Sequence, residues 1–146
     1  MTSPDNYQDL YQSMKYVTLY LDNAEKTFFA EFGLTTSRFF ILQHVHENPG
    51  INYIDLSNLM VCTKGNVSRI VQGMIQDNLI ERMENPEDRR SFQLFLSKSG
   101  EYFYKEVNTA YKDYIYRLFS KLNENQLDLL SSLSSSLKAE MLSIGC

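Results

Sequence analysis

Two short runs hold the side chains best suited to binding chemistry. The first is Thr63, Lys64, Asn66, Ser68, Arg69 and Gln72, and the second is Asp88-Arg89-Arg90. An arginine presents a planar fork of donors that matches guanine O6 and N7, or a phosphate, and amide or hydroxyl side chains beside it can contact bases or backbone. In the second run Arg90 suits a narrow A·T minor groove, Asp88 can hold it through a bidentate pair, and Arg89 suits a phosphate. The alternatives are ordinary surface roles: a salt bridge for Arg69, solvation for its neighbours, and a charged hairpin tip that only keeps an edge soluble. Catalysis has no comparable support. The chain has no GxSxG, HExxH, GxGxxG or P-loop pattern, and its two histidines, His44 and His46, would point to different faces of a helix. Neither an enzyme, a metal site nor a cofactor is expected.

These runs need elements to aim them. Val67, Ile70, Val71, Met74 and Ile75 recur at helical spacing, so a helix from Gly65 to Asp77 would bury them and turn Gly65, Arg69, Gln72 and Gln76 outward. Ile54 to Met60 reads as a short helix before it, with Val61-Cys62-Thr63 as the turn and Thr63 as the cap. After it, Phe92, Leu94 and Leu96 alternate with Ser91, Gln93 and Phe95 as a strand does. Pro86 suits the turn of a hairpin over Ile80 to Leu96, tipped by Pro86-Glu87-Asp88-Arg89-Arg90. Short helix, turn, longer helix and basic hairpin are the parts of a winged helix-turn-helix, which sets one helix in the DNA major groove and a loop beside it. The fold class is therefore mainly α with a small β-hairpin wing.

Long helices flank that module. Tyr7, Leu10, Met14, Val17, Leu21, Ala24 and Phe28 form one stripe, which Gly33 ends. Thr35-Thr36-Ser37 then caps a helix carrying Phe39, Phe40, Leu42 and Val45 to about Glu47, and Asn48-Pro49-Gly50 breaks it. Ser97-Lys98-Ser99-Gly100 opens a helix with Phe103, Val107, Ala110, Tyr114 and Leu118. Asn123 caps a last one with Leu127, Leu130, Leu133, Leu137, Met141 and Ile144, whose polar side holds the Ser131 to Ser136 cluster. The layout is a single domain, 1–146, divided into an N-terminal dimerisation helix (1–33), the winged module (34–97) and C-terminal dimerisation helices (98–146). The flanking stripes exceed what so small a module can cover, so burial against a second copy is expected over a monomeric bundle. Two recognition helices one DNA turn apart, about 34 Å, would read a palindrome.

The bulk numbers agree with one globular domain: 146 residues, 43% hydrophobic and 22% charged. No apolar run is long enough to span a membrane and Met1 to Asn6 lacks the order of a secretory signal, so a cytoplasmic protein is expected. The net charge of -4 weighs against a polyanion partner. Its distribution softens that objection. Residues 1–34 hold two Lys/Arg against five Asp/Glu, while Arg38, Lys64, Arg69, Arg82, Arg89 and Arg90 all fall in the middle of the chain. Phosphate responds to the local field, because salt screens exposed charges beyond about 10 Å.

Gly33-Leu34-Thr35, Asn66-Val67-Ser68-Arg69 and Asn78-Leu79-Ile80-Glu81-Arg82 resemble the multiple-antibiotic-resistance regulators, the MarR family. So does Asp88-Arg89-Arg90 followed by Leu94-Phe95-Leu96-Ser97-Lys98-Ser99-Gly100. The resemblance covers about residues 34 to 105 by motif and the flanking helices by layout. It implies a homodimeric cytoplasmic transcription factor, commonly a repressor, that binds pseudo-palindromic double-stranded operator DNA and is released by a small molecule or by oxidation. The chain departs from the family in having Asn78 where members often have Gly, but Asn also tolerates a left-handed conformation after a helix.

Two routes of control are open. Tyr11, Tyr16, Tyr20, Phe39 and Phe40, together with Tyr7, fall on the helices that, by the resemblance, border a cavity, and aromatic walls with hydroxyls suit a small aromatic or lipophilic effector. The alternative for each ring is core or dimer packing. Cys62 lies in the turn before the recognition helix, where the helix dipole would favour a thiolate and oxidation would disturb DNA contact; a small packed side chain is the expectation set against this. The family's peroxide sensors carry their cysteine in the first helix, and this chain has none there. Cys146, at the chain end, is expected to fray. A winged helix that binds protein and never touches DNA is the remaining alternative.

Overall fold

Thr35, Asn52, Thr63 and Asn123 each accept a hydrogen bond from the backbone N–H three residues on, and a helix begins after each. The computed structural model describes residues 3–144; Cys146, Met1 and Thr2 lie outside the described residues. The elements run α1 (Pro4–Ala30), α2 (Thr36–Glu47), α3 (Tyr53–Leu59), α4 (Lys64–Gln76), β1 (Ile80–Asn85), β2 (Asp88–Leu96), α5 (Lys98–Phe119) and α6 (Glu124–Ser143). This is a winged helix-turn-helix with long helices on both sides of it in sequence, as expected. The short helix begins at Tyr53, one residue before the sequence reading had it, because Asn52 caps it by accepting the N–H of Asp55 at 2.8 Å.

Two compact units form, Met1–Lys105 and Glu106–Cys146. In the first, Phe29, Phe39, Ile41, Leu42, Leu56, Val71, Met74 and Leu94 are wholly buried, each worth about 1.5 to 3 kcal/mol of transfer free energy. Phe29 stacks on Phe39 with ring centroids 4.4 Å apart, and Tyr104 lies 5.9 Å from Phe39. His46 faces the same Tyr104 ring and contacts the Glu101 carboxylate at 2.9 Å, tying α2 to the start of α5. Burial, then the Glu47 and Glu101 charges, raises the Tyr104 phenol above its ordinary value.

The end of α4 is closed by a hydrogen-bonded seam. Asn78 takes a left-handed φ of 59°, and Leu79 donates its N–H to Met74 O at 2.9 Å, so asparagine performs the stop that glycine usually performs. The hydroxyls of Ser97 and Ser99 both donate to Asn78 O, at 2.6 and 2.7 Å, while Ser97 Oγ accepts the N–H of Gly100 at 2.9 Å. Gly100 lies so close to the Leu79 carbonyl that a Cβ would run into it, so the first turn of α5 needs glycine there.

The hairpin is antiparallel, with Ile80 opposite Leu96 through to Glu84 opposite Phe92, and an irregularity between Glu84 and Asn85. Its turn is Pro86-Glu87, so Asp88, Arg89 and Arg90 belong to β2 and not to the tip proper, as the sequence reading had placed them. The expected alternation of β2 is also blurred. Leu94 is buried, but Phe95 on the other face is half-buried, because the Asn48–Ile51 loop pairs with the strand there. Gly50 donates to Leu94 O at 2.8 Å and Leu94 donates to Ile51 O at 2.9 Å.

The apolar stripe of α1 is exposed at Tyr7, Leu10, Met14, Val17 and Leu21. In the second unit α6 opens with an Asn123–Gln126 capping box, has no buried residue, and exposes Leu130, Leu133, Leu137 and Met141. Among the described residues no helix is long and apolar enough to cross a membrane.

Candidate nucleic-acid interface

α4 is held by its buried face and open on the other. Val67, Val71 and Met74 are buried, whereas Lys64, Gly65, Asn66, Arg69, Gln72 and Gln76 are exposed and Ser68 is half-buried. Thr63 caps the helix, accepting the Asn66 N–H at 3.3 Å. Asn66 Oδ1 in turn accepts a hydrogen bond from the Arg69 guanidinium at 2.8 Å, laying that side chain along the exposed face one turn from the helix start.

β2 carries the other run. Asp88, Arg89 and Arg90 are all exposed. The bidentate pair expected between Asp88 and Arg90 is not what forms: the Asp88 carboxylate accepts the backbone N–H of Arg90 at 3.0 Å. A short carboxylate two residues back along the chain meets the main chain before it can reach the end of a long guanidinium. The Arg90 side chain is thereby left available.

Charge pairing divides the cations. Arg38 is 2.6 Å from Asp77, lying over Gly73 of α4, and Arg117 is 2.8 Å from Asp113. Arg38 therefore leaves the basic set that the sequence suggested. Lys64, Arg69, Arg82, Arg89 and Arg90, by contrast, have no carboxylate within ion-pair distance among the described residues. Unpaired cations on α4 and on the hairpin make a positive local field on a chain of net charge -4.

A groove of about 550 Å³ joins the two runs, lined by Lys64, Ser68 and Gln72 from α4 and by Asp88 and Arg90 from β2. Arg82, one of the mid-chain cations but outside the two runs, lines it too. The hairpin register, which sets Arg82 opposite Leu94 and diagonal to Phe92, is the signal that would have found it.

The other candidates lie apart. Cys62, expected as a small packed side chain, is exposed, because the turn projects Val61 and Cys62 into solvent. Val61 in that turn is exposed with a φ of 52°, which a β-branched residue adopts only under strain. Of the five aromatic candidates, Phe39 is a core ring and Phe40 packs edge-on against it at 5.5 Å, half-buried. Tyr11, Tyr16 and Tyr20 are exposed, the last two with ring centroids 6.4 Å apart. His44 and His46 share no metal-binding cluster among the described residues.

The geometry has relatives. Over 137 residues, 94% of each chain, the protein is 21% identical to the uncharacterized HTH-type transcriptional regulator YsmB of Bacillus subtilis. Its fold is similar to that of a MarR-like protein from Bacillus cereus, with a TM-score of 0.82 at 21% identity over 92% of this chain and 97% of the other. It is similar as well to FabT of Streptococcus pneumoniae, solved in complex with DNA, with a TM-score of 0.82 at 15% identity over 94% and 99% of the two chains. Residues 34–92, from the lead into α2 through α4 and into β2, match the model of the MarR family.

Proposed function

We propose that this protein is a sequence-specific DNA-binding transcriptional regulator that acts as a homodimer. The observation carrying this reading is the row of unpaired cations and hydrogen-bonding side chains, Lys64, Asn66, Arg69, Arg89 and Arg90, on an otherwise acidic chain. In this reading α4 enters the major groove with Arg69 on a base edge, and Lys64, Asn66, Ser68 and Gln72 contact bases or phosphates around it. Thr63 holds the helix start, Arg90 enters the minor groove, and Arg89 meets phosphate. That similar folds include one solved with DNA supports the same choice. Residues 34–97 form the reading module, and 1–33 and 98–146 the dimerisation helices of one domain. The exposed leucines of α6 and the exposed stripe of α1 favour a second copy as their cover. Binding would repress, with release by a small aromatic or lipophilic effector held near Tyr11, Tyr16, Tyr20 and Phe40; Phe39, wholly buried against Phe29, stands in the core and offers no face to a ligand. The exposure of Cys62 favours a second route, release by thiol oxidation.

Retardation of genomic fragments by the purified protein at low salt tests the reading. Specific capture of a pseudo-palindromic fragment is the expected result. If no fragment is retarded, the winged helix serves protein contacts instead.

A further inference from the structure

The groove between α4 and the hairpin is lined by cations from three segments: Lys64 at the start of α4, Arg82 on β1 and Arg90 on β2. The carboxylate among its lining residues, Asp88, already accepts the Arg90 backbone N–H. Arg82 differs from the other two in being aimed. Its guanidinium carbon lies 4.3 Å from the centroid of the Phe92 ring, stacked across the hairpin on a side chain diagonal to it in the register. Stacking occupies the face of a guanidinium and leaves the N–H donors at its edge, and no carboxylate among the described residues takes them. An oriented, unpaired fork at a cationic groove matches two oxygens of one phosphate. Arg82 stands on β1 and not on the exposed face of α4 that would enter a major groove, which favours a phosphate over a base edge as its partner.

We propose that Arg82, aimed by Phe92, anchors a backbone phosphate of double-stranded DNA in this groove, with Lys64 and Arg90 adding field around it. The proposal rests on the DNA-binding reading above. It adds to that reading a contact that sets where the module sits along the duplex and carries no base preference of its own. Arg82 is exposed, so replacing it leaves the core intact.

The test measures affinity against salt for a genomic duplex selected by the wild type and for a random-sequence duplex. Arg82→Gln is expected to lower affinity for both by the same factor, about five- to tenfold, and to reduce the slope of log K against log salt by about 0.9, the value of one phosphate contact. Arg82→Lys, which keeps the charge, is expected to keep the slope. Methylphosphonate substitution along the selected duplex should reveal a position that costs the wild type affinity and costs Arg82→Gln nothing. An unchanged slope in Arg82→Gln, or a loss confined to the selected duplex, overturns the anchoring role while DNA binding stands. A wild type that binds neither duplex overturns the DNA-binding reading and the phosphate seat with it.

Discussion

Asn66 and Arg69 are joined within α4 by a hydrogen bond of 2.8 Å from the guanidinium to the amide oxygen. The pair is three residues apart, so the bond lies along one exposed face and fixes where the arginine begins its reach. Arg69→Ala is expected to weaken specific DNA binding by about 1 to 3 kcal/mol and to relax preference at one base position. Asn66→Ala should cost less, since it loosens the arginine without removing it. Fluorescence anisotropy with duplexes altered one base pair at a time measures both.

Arg89 is exposed on β2 without a carboxylate partner among the described residues. Arg89→Ala should therefore weaken binding to all sequences alike and lower the salt slope by about one. A change in base preference would count against a phosphate role.

Leu130 and Leu137 stand exposed on α6, a helix with no fully buried residue. Leu137→Glu, or Leu130→Glu, should leave the winged module folded by circular dichroism yet shift the protein from dimer to monomer in sedimentation. Tight operator binding should be lost with the second half-site. A wild type that sediments as a monomer at micromolar concentration refutes the dimer.

Control by ligand and control by oxidation both release DNA but answer to different triggers. A small aromatic effector should raise the melting temperature and weaken operator binding together, because a ligand shifts an equilibrium only by its differential affinity for the two states. Oxidation at the exposed Cys62 should instead let peroxide release DNA from the wild type and not from Cys62→Ser. The two titrations, run side by side, decide between them.

Gly100→Ala places a methyl against the Leu79 carbonyl, and both groups are backbone-held, so neither can turn aside. A loss of about 2 to 4 kcal/mol is expected, in the range of the larger single-residue effects, with the hairpin root loosened. Chemical denaturation measures it. A loss below about 0.5 kcal/mol would mean that α5 shifts to make room.

Local chemistry was legible in the sequence, and what depends on distant partners was not. Thr35, Thr63 and Asn123 could be read as caps because a cap binds an N–H three residues away. Asn78 could be read as a helix stop because its conformation is its own. Arg38 looked like one more basic residue, since its partner Asp77 lies across the fold. The bridge from Ile51 to Leu94 spans an even longer separation, and with it went the pattern of β2. Cys62 was expected to pack, and whether a turn faces in or out is decided by the two helices it joins. In the second run, the ion pair expected between Asp88 and Arg90 does not form, because a neighbouring amide competes for the carboxylate.

The pairing of Ile51 with Leu94 makes the hairpin a cantilever. Its root is clamped on one side by that bridge and on the other by the Leu79–Ser97 hydrogen bond, while Asn85 to Arg90 extend beyond either clamp. A beam fixed at one end bends most at its tip, so Arg89 and Arg90 ride on a compliant arm whereas Arg69 is set in a helix packed on the core. The two runs therefore differ in stiffness as well as in position. The helix can demand one geometry of whatever it meets, and the arm can follow a surface whose shape varies from site to site.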